Sequence, residues 1–182
     1  MKQALLAPAA KHKPDGAVQL GRLIGIARRP ERYAVMEELG TGLITTVGGL
    51  EGDHKGPKFA RRQITIMAIE AWRDALAELG LRTDPPHLTW TTRRANLLVE
   101  GVRLPRARGG IVRIGSAEFE IWYPTQPCAR MDKAHQGLLK ALHPDWRGGV
   151  ACAVNRGGKL SLGDEVEILV SPPERPRRRL PG

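Results

Sequence analysis

One cysteine of this chain lies in a setting unlike that of a core residue. Cys128 follows Pro127 in the segment YPTQPCARMD, and Arg130 comes two residues later. Proline fixes its own φ angle, so Pro124 and Pro127 stiffen the backbone that carries the thiol. A nearby cation stabilises a thiolate, the form of cysteine that attacks electrophiles and binds soft metals. We therefore expect Cys128 to be presented as a reactive thiolate.

The other roles of a cysteine fit this chain less well. Two cysteines do not make a disulfide scaffold and indicate a reducing compartment, although one bridge between them stays open. Cys152, in the apolar run GGVACAV, is expected to be a buried structural residue. Neither cysteine has a CxxC partner and no HxxxH pair is present, which disfavours structural zinc. His135 and His143 are instead expected on a helix surface or at helix ends.

A glycine-rich segment supplies two further candidates. In GLEGDHKG (49–56), Asp53 and His54 stand between glycines. One interpretation is a tight turn whose acids accept hydrogen bonds from backbone N–H groups. The other is a loop that brings backbone close to a ligand. The local pattern leaves both open.

A third segment carries adjacent arginines. In WTTRRANLLVEG, Arg93 and Arg94 are placed at the start of a predicted strand, so their side chains should point to opposite faces, with Asn96 on the face of Arg94. Only one arginine then needs to face a pocket. A guanidinium group can hold a phosphate or carboxylate through two parallel hydrogen bonds. The alternative is a solvated strand end with ordinary ion pairs.

The chain has 182 residues and a formal net charge of +10, which fits one basic domain. Part of the charge lies in the terminal ERPRRRLPG, and aromatic residues make up 4% of the chain. Because aromatic and basic residues are not interleaved, the pattern disfavours nucleic acid as a partner, and an anionic small ligand explains the charge equally well. No segment approaches the ~20 apolar residues of a membrane helix, and we expect no export signal in the first residues. A cytoplasmic location is expected.

Short strands punctuated by glycine and proline dominate the pattern. Strands are predicted in VQLGRLIGIA, RQITI, ANLLVEGV, GIVRIG, AEFEIWYP, GGVACAV and LGDEVEILV, with PPHLTW extended. Helices are predicted in AIEAWRDALAELG and in KAHQGLLKALHP, the latter ending at Pro144. Because helices do not alternate with strands, the pattern predicts a mainly β fold with α insertions, a barrel or a sandwich. We expect a flexible segment over 1–17, one domain over 18–171 and a disordered Pro/Arg tail over 172–182.

Several segments occur together in an order that resembles the MOSC domain, the family named after the C-terminal domain of molybdenum cofactor sulfurase. They are GRLIGIARRP, GLEGDHKG, RQITI, RRANLLVEGV, IVRIGSAEFEI, PCARMD and RGGVACAVNRGGKLSLGD, within Gly21 to Val170. The resemblance implies a β-barrel fold. It also implies a site around the cysteine that binds molybdenum cofactor or carries sulfur.

Carried onto this sequence, the resemblance makes Cys128 the catalytic residue. It would be a molybdenum ligand in the reduction of N-hydroxylated compounds, or a persulfide carrier. The implied cofactor-binding residues are Arg93, Arg94, Asn96, Asp53, His54 and Arg130. The chain resembles a small stand-alone member, without a pyridoxal-phosphate site, so a cysteine desulfurase or a redox protein would be its partner. Two alternatives stay open: a nucleic-acid- or partner-binding module, and a pocket for another anionic small molecule.

Overall fold

The computed structural model describes residues 20–81 and 85–174. Its strands are β1 (Leu20–Arg28), β2 (Glu37–Leu39), β3 (Thr41–Thr45), β4 (Gly49–Leu50), β5 (Ile64–Ala68), β6 (Leu97–Glu100), β7 (Ile111–Ile114), β8 (Ala117–Pro124), β9 (Val150–Arg156), β10 (Gly158–Ser161) and β11 (Glu165–Val170). Its α-helices are α1 (Ile69–Glu78), α2 (Arg130–Ala134) and α3 (Leu138–Ala141). Short 3₁₀ helices cover Gly56–Lys58, Trp90–Arg93 and Pro144–Trp146.

Seven strands close into a barrel. Their order is β11-β7-β8-β9-β5-β6-β1, and the antiparallel pairing of β1 with β11 joins the two ends. β2 extends the sheet beside β1, while β10, β3 and β4 form a separate small sheet. The pair β5–β6 is parallel, and α1 lies in the connection that such a pair requires. The prediction of a mainly β barrel with helical insertions is therefore confirmed.

The strands bury alternate side chains inside the barrel. In β8, Ala117, Phe119 and Ile121 are fully buried while their neighbours are not, which is the period of a strand with one face in the core. Burial of a ring such as Phe119 stabilises the fold by about 2–3 kcal/mol. Cys152 is fully buried in the same cluster, and this burial raises the pKa of its thiol far above the ordinary range. Its predicted structural role is confirmed.

A second apolar cluster fixes α1 against the outside of the barrel. Ile69, Trp72 and Leu76 are buried at helical spacing and pack with Met67 of β5 and Leu138 of α3. The helix ends at Glu78, shortly before a glycine with a left-handed φ of 74°. The predicted helix over 68–80 is thus present, slightly shortened at both ends.

The predicted single helix in KAHQGLLKALHP is wrong. α2 and α3 are separate because His135 is extended, with φ −157°, and Gly137 adopts a left-handed φ of 87°. The break lets Met131 and Leu138 both enter the second apolar cluster. His135 lies at the C-terminal end of α2 and His143 at the start of the 3₁₀ helix Pro144–Trp146, so both are helix-end residues as expected.

The strand start at Arg93 is also wrong. The extended prediction for PPHLTW holds only in part, because a turn joins Leu88 N–H to the carbonyl of Pro85 (2.8 Å), while Thr89 is extended. Trp90–Arg93 forms a 3₁₀ helix, Arg94 follows with a left-handed φ of 63°, and β6 begins at Leu97. Trp90 is buried in the second apolar cluster, so packing of its indole overrides the extended preference of this segment.

The predictions for residues 1–17 and for the arginines after Glu174 lie outside the described residues. Of the predicted tail, residues 172–174 are described, and Glu174 makes two hydrogen bonds of 2.8 Å with Arg106. None of the helices in the described ranges has the length and apolar character needed to cross a membrane.

Candidate functional site

A pocket of about 260 Å³ has Cys128 in its wall. Its described lining comes from six separate stretches of the chain, namely Arg29, Met36, Asp53 and Lys55, Arg62 and Thr65, Arg93 with Arg94 and Asn96, and Gln126 with Cys128, Arg130 and Met131. The structure therefore brings together all the residues predicted for the site except His54. A separate cavity of about 500 Å³ is larger, but it contains no cysteine, so we assign the chemistry to the smaller pocket.

Cys128 is exposed on a short segment that is tied down on both sides. Before it, the buried Thr125 donates its N–H to the carbonyl of Gly149 (2.9 Å) and its hydroxyl to that of Gly148 (2.5 Å). After it, the N–H of Met131 donates to the carbonyl of Cys128 (2.8 Å) at the start of α2. The thiol is thus exposed on a loop that leaves a strand, as predicted, and hydrogen bonds hold this loop on both sides.

Arg93 is a buried cation without an acidic partner among the described residues. Its side chain is 5% exposed, and Nη2 donates to the carbonyl of Thr125 (2.8 Å). Its Nε has no hydrogen-bond partner among the described residues. Burial, and then repulsion from Arg62, lowers the pKa of Arg93 to about 10. The guanidinium is thus held in place with donor capacity unused.

Six cationic side chains line this pocket: Arg29, Lys55, Arg62, Arg93, Arg94 and Arg130. Within the described residues, the salt bridges to carboxylates involve other arginines and none of these six. The Nε atoms of Arg29 and Arg62 are also buried without a partner there. Burial, followed by repulsion from Arg62 and Arg29, lowers the pKa of Lys55 to about 8. Such a concave pocket, with six cations and one carboxylate in its described lining, favours a bound polyanion.

Asp53 is the one carboxylate in the described lining, and backbone groups occupy it. Its Oδ1 accepts the N–H of Arg29 (2.9 Å), and its Oδ2 accepts those of Lys55 (3.0 Å) and Gly56 (3.3 Å). Gly52, with a left-handed φ of 76°, makes the turn that presents it. The turn interpretation of GLEGDHKG is thus correct for Asp53, which fixes the loops that carry the cations.

His54 lies outside the pocket lining. Its backbone N–H donates to the carbonyl of Arg29 (2.7 Å), and its ring Nε2 lies 3.0 Å from Nζ of Lys58. The side chain beside it in the sequence, that of Lys55, lines the pocket instead.

Arg93 and Arg94 do not point to opposite sides of a strand. Both line the pocket, because the 3₁₀ helix and the left-handed Arg94 replace the strand geometry on which the opposite-face prediction rested. Arg94 Nη2 donates to the carbonyl of Ala34 (2.9 Å), which ties the loop after β1 to this wall.

The side chain of Asn96 makes hydrogen bonds to two strands. Its Oδ1 accepts the N–H of Thr65 in β5 (3.0 Å), and its Nδ2 donates to the carbonyl of Ala27 in β1 (3.3 Å). Both ends of the amide are therefore engaged by the barrel, so Asn96 positions the wall of the pocket. Arg130, by contrast, is exposed, and its guanidinium carbon lies 4.9 Å from the centre of the Tyr33 ring.

Sequence reasoning missed half of the cations. Arg29, Lys55 and Arg62 all line the pocket, as do the soft thioethers of Met36 and Met131. The doublets ARRP and RRQ, each adjoining a predicted strand, carried a signal similar to that of TTRRAN and could have identified Arg29 and Arg62.

The described residues contain no group of three or more His, Cys, Asp or Glu side chains that could hold a bare metal ion. Cys128 offers one soft ligand among cations. This donor set suits a metal that arrives within an anionic organic cofactor, which supplies the remaining ligands itself.

A family model for the MOSC domain matches residues 51–167, more than half of the chain. The chain belongs to the MOSC domain family. No curated protein matches this MOSC protein.

Solved structures share its fold. The YuaD protein from Bacillus subtilis superposes with a TM-score of 0.67 at 22% identity, over 84% of this chain and 97% of that one. YiiM from Geobacillus stearothermophilus gives 0.62 at 17% identity, over 82% and 75%. YiiM from Escherichia coli gives 0.57 at 18% identity, over 82% and 70%. At these identities the likeness extends to the fold alone.

Proposed function

We propose that this MOSC protein binds molybdenum cofactor in the Cys128 pocket and uses the Cys128 thiolate on it. One observation carries the proposal: an exposed thiol faces six cations that lack carboxylate partners among the described residues. Burial of unpaired guanidinium groups is unfavourable, so a pocket of this kind is best explained by an anionic ligand that neutralises it.

The residues of the pocket fit the parts of the cofactor. Arg62 and Arg93 retain buried, unused Nε donors for its phosphate, and Lys55 adds a point charge. Cys128 would supply the thiolate ligand to molybdenum, with Met36 and Met131 as soft apolar wall. A neighbouring cavity of about 320 Å³ shares Met36 and Arg94 with the pocket and offers room for the pterin body. When bound, the cofactor would supply two-electron reduction, and we propose N-hydroxylated compounds as its substrates.

A second use of the same thiolate is sulfur transfer. Cys128 would attack the outer sulfur of a persulfide on a cysteine desulfurase; a new S–S bond forms at Cys128 Sγ as the donor's S–S bond breaks, and the donor cysteine leaves as a thiolate. No net oxidation occurs. The exposure of Cys128 favours this use, because a partner protein must reach the sulfur. In the other use, the reduction of N-hydroxylated compounds, a redox protein would supply the electrons. Both cysteines are free thiols, which suits a cytoplasmic protein.

Cofactor binding is tested by expressing the full chain in a host that makes the cofactor, then measuring molybdenum and released pterin. We expect both in near-equimolar amounts with the wild type. Cys128→Ser should lose molybdenum, and Arg93→Gln should lose both. Arg73→Gln, which removes an exposed arginine of α1 outside the pocket, should keep both. Protein without molybdenum and pterin from a cofactor-replete host would contradict the proposal.

Sulfur transfer is tested by incubation with a cysteine desulfurase and L-cysteine, followed by intact mass. We expect one added sulfur atom on the wild type, removed by a reductant. Cys128→Ser should gain none, whereas Cys152→Ser should behave as the wild type, since Cys152 is buried in the barrel. Equal gain by Cys128→Ser would rule out Cys128 as the carrier.

A further inference from the structure

The 500 Å³ cavity lies away from Cys128, between three parts of the chain. The N-terminal half of α1 forms one wall, the segment 101–106 after β6 another, and the turn 145–147 the third. Its floor is apolar, with Ala71, Val102 and Leu104, and the half-buried Trp146 contributes an aromatic wall. This volume and this combination of apolar, aromatic and charged lining residues are typical of a small-molecule site.

The arginines of this cavity are already neutralised. Arg106 makes hydrogen bonds of 2.8 Å to both carboxylate oxygens of Glu174, and Arg103 lies 3.5 Å from Glu174 as well. Arg106 also pairs with Asp145 at 2.8 Å. Arg147 pairs with Glu78 (2.5 Å) and donates to the carbonyl of Ala141 (3.0 Å). These guanidinium groups therefore offer little to an incoming anion.

The carboxylates of α1 in the same cavity are not neutralised in this way. Glu70 and Asp74 both line it and lie one helical turn apart on the same face. Glu70 accepts only the N–H of Gly101 (2.8 Å) within the described residues. The exposed side chain of Asp74 has no hydrogen bond or ion pair there. The charge left for a ligand is negative, beside an aromatic ring and an apolar floor.

We propose that this cavity is a second binding site, for a small organic cation with an apolar body, of the arylalkylammonium class. The ammonium lies between the Asp74 carboxylate and the Trp146 indole, where ionic and cation–π attraction act together. The apolar body covers Ala71, Val102 and Leu104. The site is independent of the cofactor proposal, and its charge preference is opposite to that of the Cys128 pocket.

The test uses benzyltrimethylammonium, with phenylacetate and benzyl alcohol as anionic and neutral counterparts. The chain has four tryptophans, so the indole N–H signals in a proton–nitrogen NMR spectrum can be followed separately, with Trp146→Phe assigning its own. We expect the cation to shift the Trp146 signal in a saturable way. The two counterparts should bind at least about fivefold more weakly.

Three variants test whether the Asp74 carboxylate contributes to cation binding. Asp74→Asn should weaken cation binding about fivefold, Asp74→Glu should retain it, and Glu38→Gln, which removes an exposed carboxylate of β2, should leave it within about twofold. Thermal melting verifies that each variant is folded. Equal binding of the cation and phenylacetate, or equal effects of Asp74→Asn and Glu38→Gln, would overturn the proposal, as would saturable shifts confined to the other tryptophans.

Discussion

Two arginine-rich regions of this protein differ in what neutralises their guanidinium groups. Around Arg106, Glu174 and Asp145 supply carboxylates at 2.8 Å, and the side chains are partly exposed. Around Arg93, no carboxylate of the described residues forms a salt bridge, although Arg93 is 5% exposed. The first region is an ordinary surface network of modest stabilising value.

The second region is costly to fold, since desolvation of a cation without a counter-charge is unfavourable. Residues retained against stability are characteristic of a site whose missing charge comes with a ligand. The difference between the two regions thus separates arginines that hold the fold from arginines that serve binding.

Arg93→Met gives the largest expected effect. It should weaken binding of a phosphate-bearing ligand about a hundredfold, because a buried charge-assisted contact is lost. It should also raise the free energy of unfolding by about 1 kcal/mol, since an apolar side chain of similar size replaces an unpaired cation. Calorimetry measures the ligand affinity, which should fall, and urea unfolding measures the free energy of unfolding, which should rise. Unchanged affinity would remove the distinction between the two regions.

Gly148→Ala tests how the binding arginine is supported. A Cβ at this position would lie 2.5 Å from the carbonyl oxygen of Thr125 and 3.1 Å from Nη2 of Arg93. We expect a loss of about 2 kcal/mol of stability, because a backbone carbonyl must move. At Gly40 a Cβ would meet no described atom within 4 Å, so Gly40→Ala should cost little. Comparable unfolding midpoints for the two variants would contradict this account.

Arg106→Met probes the paired region. It removes the partner of Glu174 and Asp145, and we expect a loss of about 1 kcal/mol, modest because these groups are partly exposed. Binding in the Cys128 pocket should be unchanged. Urea unfolding compares the stability of Arg106→Met with that of Arg73→Met, which removes an arginine outside both regions. A large loss of anion affinity in Arg106→Met would show that the two regions are not separate.

Lys55 gives the smallest expected effect, a pH dependence. Its pKa is about 8, so its charge is lost as pH rises through that value. Sulfate, whose charge is constant in this range, should bind about threefold more weakly at pH 9 than at pH 7. The measurement is made in the Cys128→Ser variant, so that the thiol does not contribute to the result. Lys55→Arg should remove the dependence, and persistence of the full effect in that variant would assign it to another group.

The same depressed pKa has a consequence for stability. Lys55 binds fewer protons in the folded state than in the unfolded state between about pH 8 and the ordinary lysine pKa of 10.5. Its contribution to the free energy of unfolding therefore increases as pH rises through this window.

Local patterns in the sequence predicted most of the barrel. The alternation in AEFEIWYP and the periodicity of Ile69, Trp72 and Leu76 match β8 and α1, because these patterns record which face is buried. The failures lie where tertiary packing overrides local preference. Gly137 breaks a predicted helix, and the 3₁₀ helix before Arg94 displaces a predicted strand start. That second failure changed the site, since it placed both Arg93 and Arg94 in the pocket.

What the sequence determined by itself was the contrast between its cysteines. Pro127 and the polar neighbours of Cys128 predicted a presented thiol, and the apolar neighbours of Cys152 predicted a buried one, because immediate neighbours control these environments. Tertiary structure alone decided which charges meet. Arg106 pairs with Glu174, which lies 68 residues away in the sequence. Arg29, Lys55 and Arg62 line the same pocket as Cys128 and have no such carboxylate partners among the described residues. Ion pairing depends on distance through space, which the folding of the barrel sets and local sequence does not.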